Sequence, residues 1–163
     1  TEEPDTHERA GELLSVARRI GEMPHRTLVG GDFNQVSWGR NAALFKRIGQ
    51  LIDPRIGRGL FPTFHARSPL VRFPIDQIYH TCDLRVERME TLPDFGSDHL
   101  ALMMHFHLMD VPAPAETALA RVRREDREKM ERLIREGIQK RGARGKHSAY
   151  LTSPLARLGI GVR

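Results

Sequence analysis

Apolar positions along the chain follow two different rhythms. From an N-cap at Asp5 or Thr6, Ala10, Leu13, Leu14, Ala17 and Ile20 recur at helical spacing until Gly21 and Pro24 interrupt them, which predicts a helix with one buried stripe. A short apolar run, Thr27 to Val29, predicts a strand. A second helix is predicted over Asn41 to Ile48, with Leu44, Phe45 and Ile48 turned inward. The stretch from Asp53 to Pro69 carries Pro54, Gly57, Gly59 and Pro62 and reads as a loop.

Beyond the loop the rhythm shortens to strands, at "RFPIDQIYH" (Arg72 to His80), "LRVERMETL" (Leu84 to Leu92) and "HLALMMHFHL" (His99 to Leu108). The last alternates cleanly. Leu100, Leu102, Met104, Phe106 and Leu108 share one face, predicted to be core, and His99, Ala101, Met103, His105 and His107 share the other. "VPAPAE" then marks a linker, with the boundary between domain and helix drawn at residues 110–115. A charged helix is predicted over 116–141, with Glu125/Lys129, Glu128/Arg132, Glu131/Arg135 and Glu136/Lys140 spaced for i,i+4 pairing. Its apolar stripe is broken at Asp126, so it is expected to dock weakly. Residues 142–163, rich in Gly, Arg and Ser, are expected to form a disordered basic tail.

Composition adds two constraints. No apolar run approaches a membrane span or a signal-peptide core, and the single cysteine, Cys82, rules out an intrachain disulfide and is expected to be buried. The net charge of +5 divides unevenly. Thr1 to Met109 carries 13 Lys/Arg against 14 Asp/Glu, whereas Asp110 to Arg163 carries 13 against 7. The basic excess therefore belongs to the last third, and the front part offers no whole-domain electrostatic argument for nucleic acid.

Candidate chemistry begins at "TLVGGDFNQVSW". Taken alone, Asp32 and Asn34 could be turn chemistry, since Asx side chains hydrogen-bond their own backbone. Two further strand ends alter that picture. "PIDQIY" sets Asp76 in an otherwise apolar strand, where a carboxylate is costly unless paired, and "GSDHLAL" sets Asp98 and His99 at the mouth of another. Asp32, Asn34, Asp76, Asp98 and His99 converging on one sheet edge would suit a metal-assisted phosphoester site.

The ordered series "GGDFN", "PIDQIYH" and "GSDHLAL" resembles the endonuclease/exonuclease/phosphatase superfamily over roughly Asp5 to Leu108, and the run from Leu44 to His80 is similar to a bacterial branch of it. The resemblance implies an α/β (α+β) fold, with residues 1–109 forming the C-terminal half of a four-layer α/β/β/α sandwich. It also implies roles for the residues that match. Asp32 would orient and deprotonate the attacking water, and Asn34 would hold that water or a phosphoryl oxygen. His99, kept protonated by Asp76, would donate to the phosphorane, and Asp98 would join the metal or water network with Asp32 as a shared ligand. Hard oxygen ligands favour Mg²⁺ or Mn²⁺. In the superfamily a first half supplies a metal-binding Glu. No counterpart is found here, so the chain is read as the second half of a longer protein, cytoplasmic or membrane-attached, and by itself inactive or weakly active.

The implied substrate is a phosphoester, either nucleic acid or a phospholipid or small phosphoester, and the missing half is an implied partner. Half a sandwich should also leave a sheet face uncovered and promote oligomerisation. Arg72 and His65 are candidate substrate contacts, and Arg55, Arg58 and Arg67 could likewise clamp phosphates or simply solvate the loop. His80 and Trp38 read as structural, and His105 and His107 as sheet surface. Two other classes remain open: a noncatalytic fragment or assembly module that keeps the C-terminal sheet, and a nucleic-acid binder acting through the basic tail.

Overall fold

A computed structural model describes residues 4–23, 26–68, 70–110 and 121–143. Helix α1 (Pro4–Glu22) leads into strand β1 (Leu28–Asp32) and helix α2 (Arg40–Gly49). Strands β2 (Asp76–His80), β3 (Leu84–Thr91) and β4 (Leu102–Leu108) follow, and helix α3 (Arg124–Ala143) closes the series. The result is a mixed helix and sheet fold of the α/β class. No helix among the described residues is long and apolar enough to cross a membrane.

The helical stripes meet as their spacing requires. Ala10, Leu14, Ala17 and Ile20 of α1 are buried, and so are Leu44, Phe45 and Ile48 of α2. All but Ala10 form one core with Leu51 and with Tyr79 of β2. Each Leu, Ile or Phe side chain among them contributes on the order of 1.5–3 kcal/mol when fully buried. Helix α2 stops at Gln50, whose left-handed backbone lets the Gln50 and Leu51 N–H groups return to the Arg47 and Lys46 carbonyls.

Helix α3 corrects the expectation of weak docking. Met130 and Ile134, with Val122 just ahead of the helix, enter the same core. Asp126, the residue that breaks the stripe, is itself buried, and Arg47 holds it through two hydrogen bonds of 2.9 Å. Helices α1 and α3 touch backbone to backbone, since a Cβ added at Gly137 would lie 3.1 Å from the Gly11 Cα. Glu131 pairs with Arg135 at 3.8 Å, but Glu128 pairs with Arg124, and Glu136 lies near His7 and Arg132. Most of the predicted linker, the first residues of the predicted helix and the tail beyond residue 143 lie outside the described residues.

Each sheet has two antiparallel strands. In β1–β2 the register runs from Leu28 opposite His80 to Asp32 opposite Asp76. Strand β1 is longer than its apolar run because the ladder continues through Gly30 and Gly31 to Asp32. Side chains alternate across a strand. Tyr79 and Gln77 therefore face the helices, whereas Asp32, Gly30, Asp76 and Ile78 belong to the opposite face. In β3–β4 an irregularity at Glu87 shifts the pairing between Val86 and Arg88.

Three expectations fail at the surface. The apolar face of β4 is not core at its far end, where Phe106 and Leu108 are exposed. Cys82 sits exposed in the turn between β2 and β3, and Trp38 is 62% exposed instead of packed.

The loop between α2 and β2 is ordered by charge. Asp53 and Arg55 form a buried pair at 2.9 Å. Burial alone would raise the Asp53 pKa, but the Arg55 hydrogen bonds and the Arg55 and Lys46 charges outweigh it and hold the carboxyl below its ordinary range. The loop's far end crosses to the strand ends. Phe64 exchanges main-chain hydrogen bonds with Phe73, and Thr63 and Ala66 bond to Leu100 and Asp98.

Candidate active site

The register of β1–β2 creates an electrostatic problem at one end of the sheet. Asp32 and Asp76 stand directly opposite each other, and like charges in that relation destabilise a strand pair. His99 resolves it. Its Nδ1 donates to the Asp76 Oδ2 at 2.7 Å, with both side chains only partly exposed. The Asp76 hydrogen bond raises the His99 pKa above its ordinary value. Partial burial opposes the shift, and the charges of Asp76, Asp32 and Asp98 reinforce it. All three carboxylates thus act on one imidazole, which favours the imidazolium.

His99 is held by the elements around it. Its N–H donates to the Ser97 hydroxyl at 3.1 Å, and its ring lies 4.9 Å from that of Phe64. The Phe64 loop is fastened on both sides of His99: Ala66 N–H donates to the Asp98 carbonyl at 2.7 Å, and Leu100 N–H to the Thr63 carbonyl at 3.0 Å. The Asp76 N–H reaches the Thr63 hydroxyl at 3.4 Å. The long loop therefore packs the acid–imidazole pair from behind. Sequence reading missed Phe64 and Thr63, for which the only available signal was an aromatic and a hydroxyl in "FPTFH".

Asp32 serves the turn as well as the site. Its Oδ1 accepts the Asn34 N–H at 2.8 Å, and Asn34 takes a left-handed backbone with φ of 50°, a conformation Asn tolerates. Between them Phe33 points the other way, with its ring edge-on to Phe45 at 5.5 Å and to Tyr79 at 5.4 Å. Turn chemistry and a solvent-facing carboxylate coexist in one residue.

The remaining candidates separate. Arg72 is spent on the loop's own backbone, donating to the Ser68 carbonyl at 3.0 Å and to the Ala66 carbonyl at 2.5 Å. Arg55 is buried with Asp53, and Arg58 donates to the carbonyls of Pro54 and Val86. Arg67 reaches the Gly96 carbonyl at an exposed edge. The His65 ring lies 5.3 Å from that of Phe64, tilted by 36°, the same ring that lies against His99. His80 is buried and bonds the Thr81 carbonyl. On the exposed β3–β4 surface His107 pairs with Glu87 at 2.7 Å.

Beside Asp76 and His99 the face of β1–β2 opens into a cavity of about 520 Å³, walled by Gly30, Gly31, Ile78, Phe95, Leu100 and Leu102. Asp32 and Asp98 offer the hard oxygens that Mg²⁺ or Mn²⁺ take. Among the described residues, however, no three His, Cys, Asp or Glu side chains converge where they could hold an ion. The donor set falls short of a complete metal site.

The sequence model of the endonuclease/exonuclease/phosphatase family matches residues 1–99. The chain belongs to that family. The matched segment ends at His99, so it contains Asp32, Asn34, Asp76, Asp98 and His99, and it makes this part of the chain a domain of the phosphoesterase and nuclease type. No match was found among curated proteins or among solved structures. Members of an endonuclease/exonuclease/phosphatase family are in general hydrolytic, which accords with an imidazolium and a carboxylate set at one sheet end.

Proposed function

We propose that the chain supplies the acid–imidazole part of a phosphoester hydrolase site, with Asp32, Asn34, Asp76 and His99 as its working residues. The observation that carries this reading is the 2.7 Å His99–Asp76 contact at the sheet end where Asp32 stands opposite Asp76. Hydrolysis needs a water delivered in line, a place for its proton, and positive charge for the phosphoryl oxygens. Asp32 accepts the proton and orients the water, and the Asn34 amide steadies it. His99, charged because Asp76 holds it, donates to a nonbridging oxygen as negative charge grows there. Asp76 does not touch substrate and acts by orienting and charging the imidazole.

Asp98 and Asp32 would hold a divalent cation together with a further carboxylate from outside the described residues. When bound, such an ion neutralises phosphoryl charge. Nucleic acid, phospholipid headgroups and small phosphoesters all fit this chemistry, because selectivity resides in the surrounding loops.

Hydrolysis of bis(p-nitrophenyl) phosphate with Mg²⁺ or Mn²⁺ tests the proposal. The chain by itself is expected to stay near background, and a polypeptide that also carries the completing segment is expected to turn over. Inactivity of that longer protein on every phosphoester class tried contradicts the enzyme reading and favours a noncatalytic assembly module.

A further inference from the structure

Residues 34–36 carry Asn34 past the end of the β1–β2 ladder. The last main-chain tether before them is Phe33 N–H to the Ile75 carbonyl at 2.9 Å, and the next is Gly39 N–H to the Val36 carbonyl at 3.0 Å. Between these, the Asn34 N–H bond to Asp32 closes the turn on itself and does not fasten it to the rest of the fold. Two side chains fasten the segment: Lys46 Nζ donates to the Ser37 carbonyl at 3.1 Å, past the turn, and one side chain reaches the turn itself. The Gln77 Nε2 donates to the Gln35 carbonyl, across from the neighbouring strand.

Gln77 is nearly fully buried on the helix-facing side of β2. Its amide has a donating and an accepting end, and the Gln35 carbonyl can be met only by the donating one. Tyr79 fixes the orientation, because its hydroxyl donates to the Gln77 Oε1. The Tyr79 ring is itself immobilised against Phe33 and Phe45, with Lys46 and Arg55 5.7 and 5.9 Å from its centroid. Burial raises the Tyr79 pKa far above the neutral range, so the hydroxyl keeps its proton to donate.

We propose that Gln77, locked by the Tyr79 hydroxyl, is a positioning residue that holds the Asn34–Gln35 turn, and with it the Asn34 amide and Asp32 carboxylate, in the geometry the reaction uses. The inference rests on the functional reading above and adds to it a pair of residues that touch no substrate. Side chains at successive positions of one strand thus divide the work: Asp76 charges His99 on one face, and Gln77 sets Asn34 from the other.

The test is ¹⁵N relaxation on this chain, comparing wild type with Gln77→Met, which keeps the volume and removes both polar ends, and with Tyr79→Phe, which removes only the hydroxyl. In Gln77→Met the order parameters of the Asn34 and Gln35 amides are expected to fall from about 0.85 to below about 0.6, the span between rigid and flexible backbone. Tyr79→Phe should move them the same way by a smaller amount. Wild-type order parameters at Asn34 and Gln35 in Gln77→Met overturn the proposal. If that variant does not fold, wild-type values in Tyr79→Phe overturn it equally. Failure of the functional reading has a separate signature, turnover that survives Asp32→Ala and His99→Ala in the active protein.

Discussion

Replacing Arg47 by Ala tests how firmly helix α3 belongs to the domain. The Asp126 carboxylate, with its side chain 8% exposed, receives two hydrogen bonds of 2.9 Å from Arg47 and one of 3.4 Å from Arg123. Arg47→Ala leaves it with Arg123 alone. A hydrogen bond to a charged group is worth about 1.5–3 kcal/mol. Because the Arg47 side chain is 46% exposed, solvent screening places the loss near the bottom of that range, at about 1.5 kcal/mol. In a chain of this size each 1 kcal/mol moves the melting temperature by about 2–4 °C, so a fall of about 3–6 °C is expected at pH 7.

The pH dependence follows from the direction of the Asp126 shift. The Arg47 hydrogen bond, against the opposing effect of burial and with the help of the Arg47 and Arg123 charges, holds the Asp126 pKa below its ordinary value. A carboxyl lowered in the folded state contributes stability above its unfolded pKa, near 3.9, and loses it as pH falls through the folded value. Circular dichroism melts of wild type and Arg47→Ala should therefore differ fully at pH 7 and converge in acid below about pH 4. A variant that melts with wild type at pH 7, or a gap that persists undiminished in acid, refutes the pairing as a stabilising contact. Asp126→Ala and the double variant complete the cycle, and additivity of the two single losses would refute it equally.

Gly137→Leu should cost more than about 2 kcal/mol in urea unfolding, because its Cβ would meet the Gly11 Cα and the His7 carbonyl, backbone atoms that cannot rotate away; wild-type stability would show that the helices part freely. Sedimentation should reveal concentration-dependent association through the exposed Leu70, Phe73 and Phe95 and the open strand edges, weakened by Phe95→Ser; a monomer at all concentrations counts against an uncovered face. By NMR, the His99 imidazole should titrate above the ordinary His value. It should return toward that value in Asp76→Asn, since the Asp76 hydrogen bond leads the causes of the shift. The contact's contribution to stability is complete below about pH 6.5 and is lost as pH rises through the raised folded value. An unmoved His99 titration in Asp76→Asn refutes the pairing.

Much of the fold was legible because its period is simple. Leu14, Ala17, Ile20, Leu44, Phe45 and Ile48 lie where helical spacing puts them. Asp32 and Asp76 lie at strand ends where the apolar runs stop, whereas His99, expected to open the last strand, lies ahead of β4 and bridges to Phe64. Illegible were the features that depend on a partner distant in sequence. Asp126 reads as a flaw in an apolar stripe until Arg47, 79 residues away, is seen to hold it. Gly11 and Gly137 carry no apolar signal, yet they let α1 and α3 meet backbone to backbone. The alternation of β4 marks which side chains share a face and is silent on whether anything covers it. Arg72 looks like a phosphate clamp in one dimension, and its guanidinium is bound to its own loop in three. The Gln77 anchor was hidden for the same reason, since its partner carbonyl belongs to Gln35 on a separate strand's exit.

The central claim is that a protonated His99 oriented by Asp76 and an ionised Asp32 act together on a phosphoester. Its most direct test is steady-state hydrolysis of bis(p-nitrophenyl) phosphate by the turnover-competent protein in Mg²⁺ or Mn²⁺, with His99→Ala and Asp32→Ala compared at matched folding. The expected loss is roughly two orders of magnitude or more for each, the scale of removing a charge-stabilising donor or a general base. Turnover that persists at the wild-type rate in His99→Ala contradicts the account.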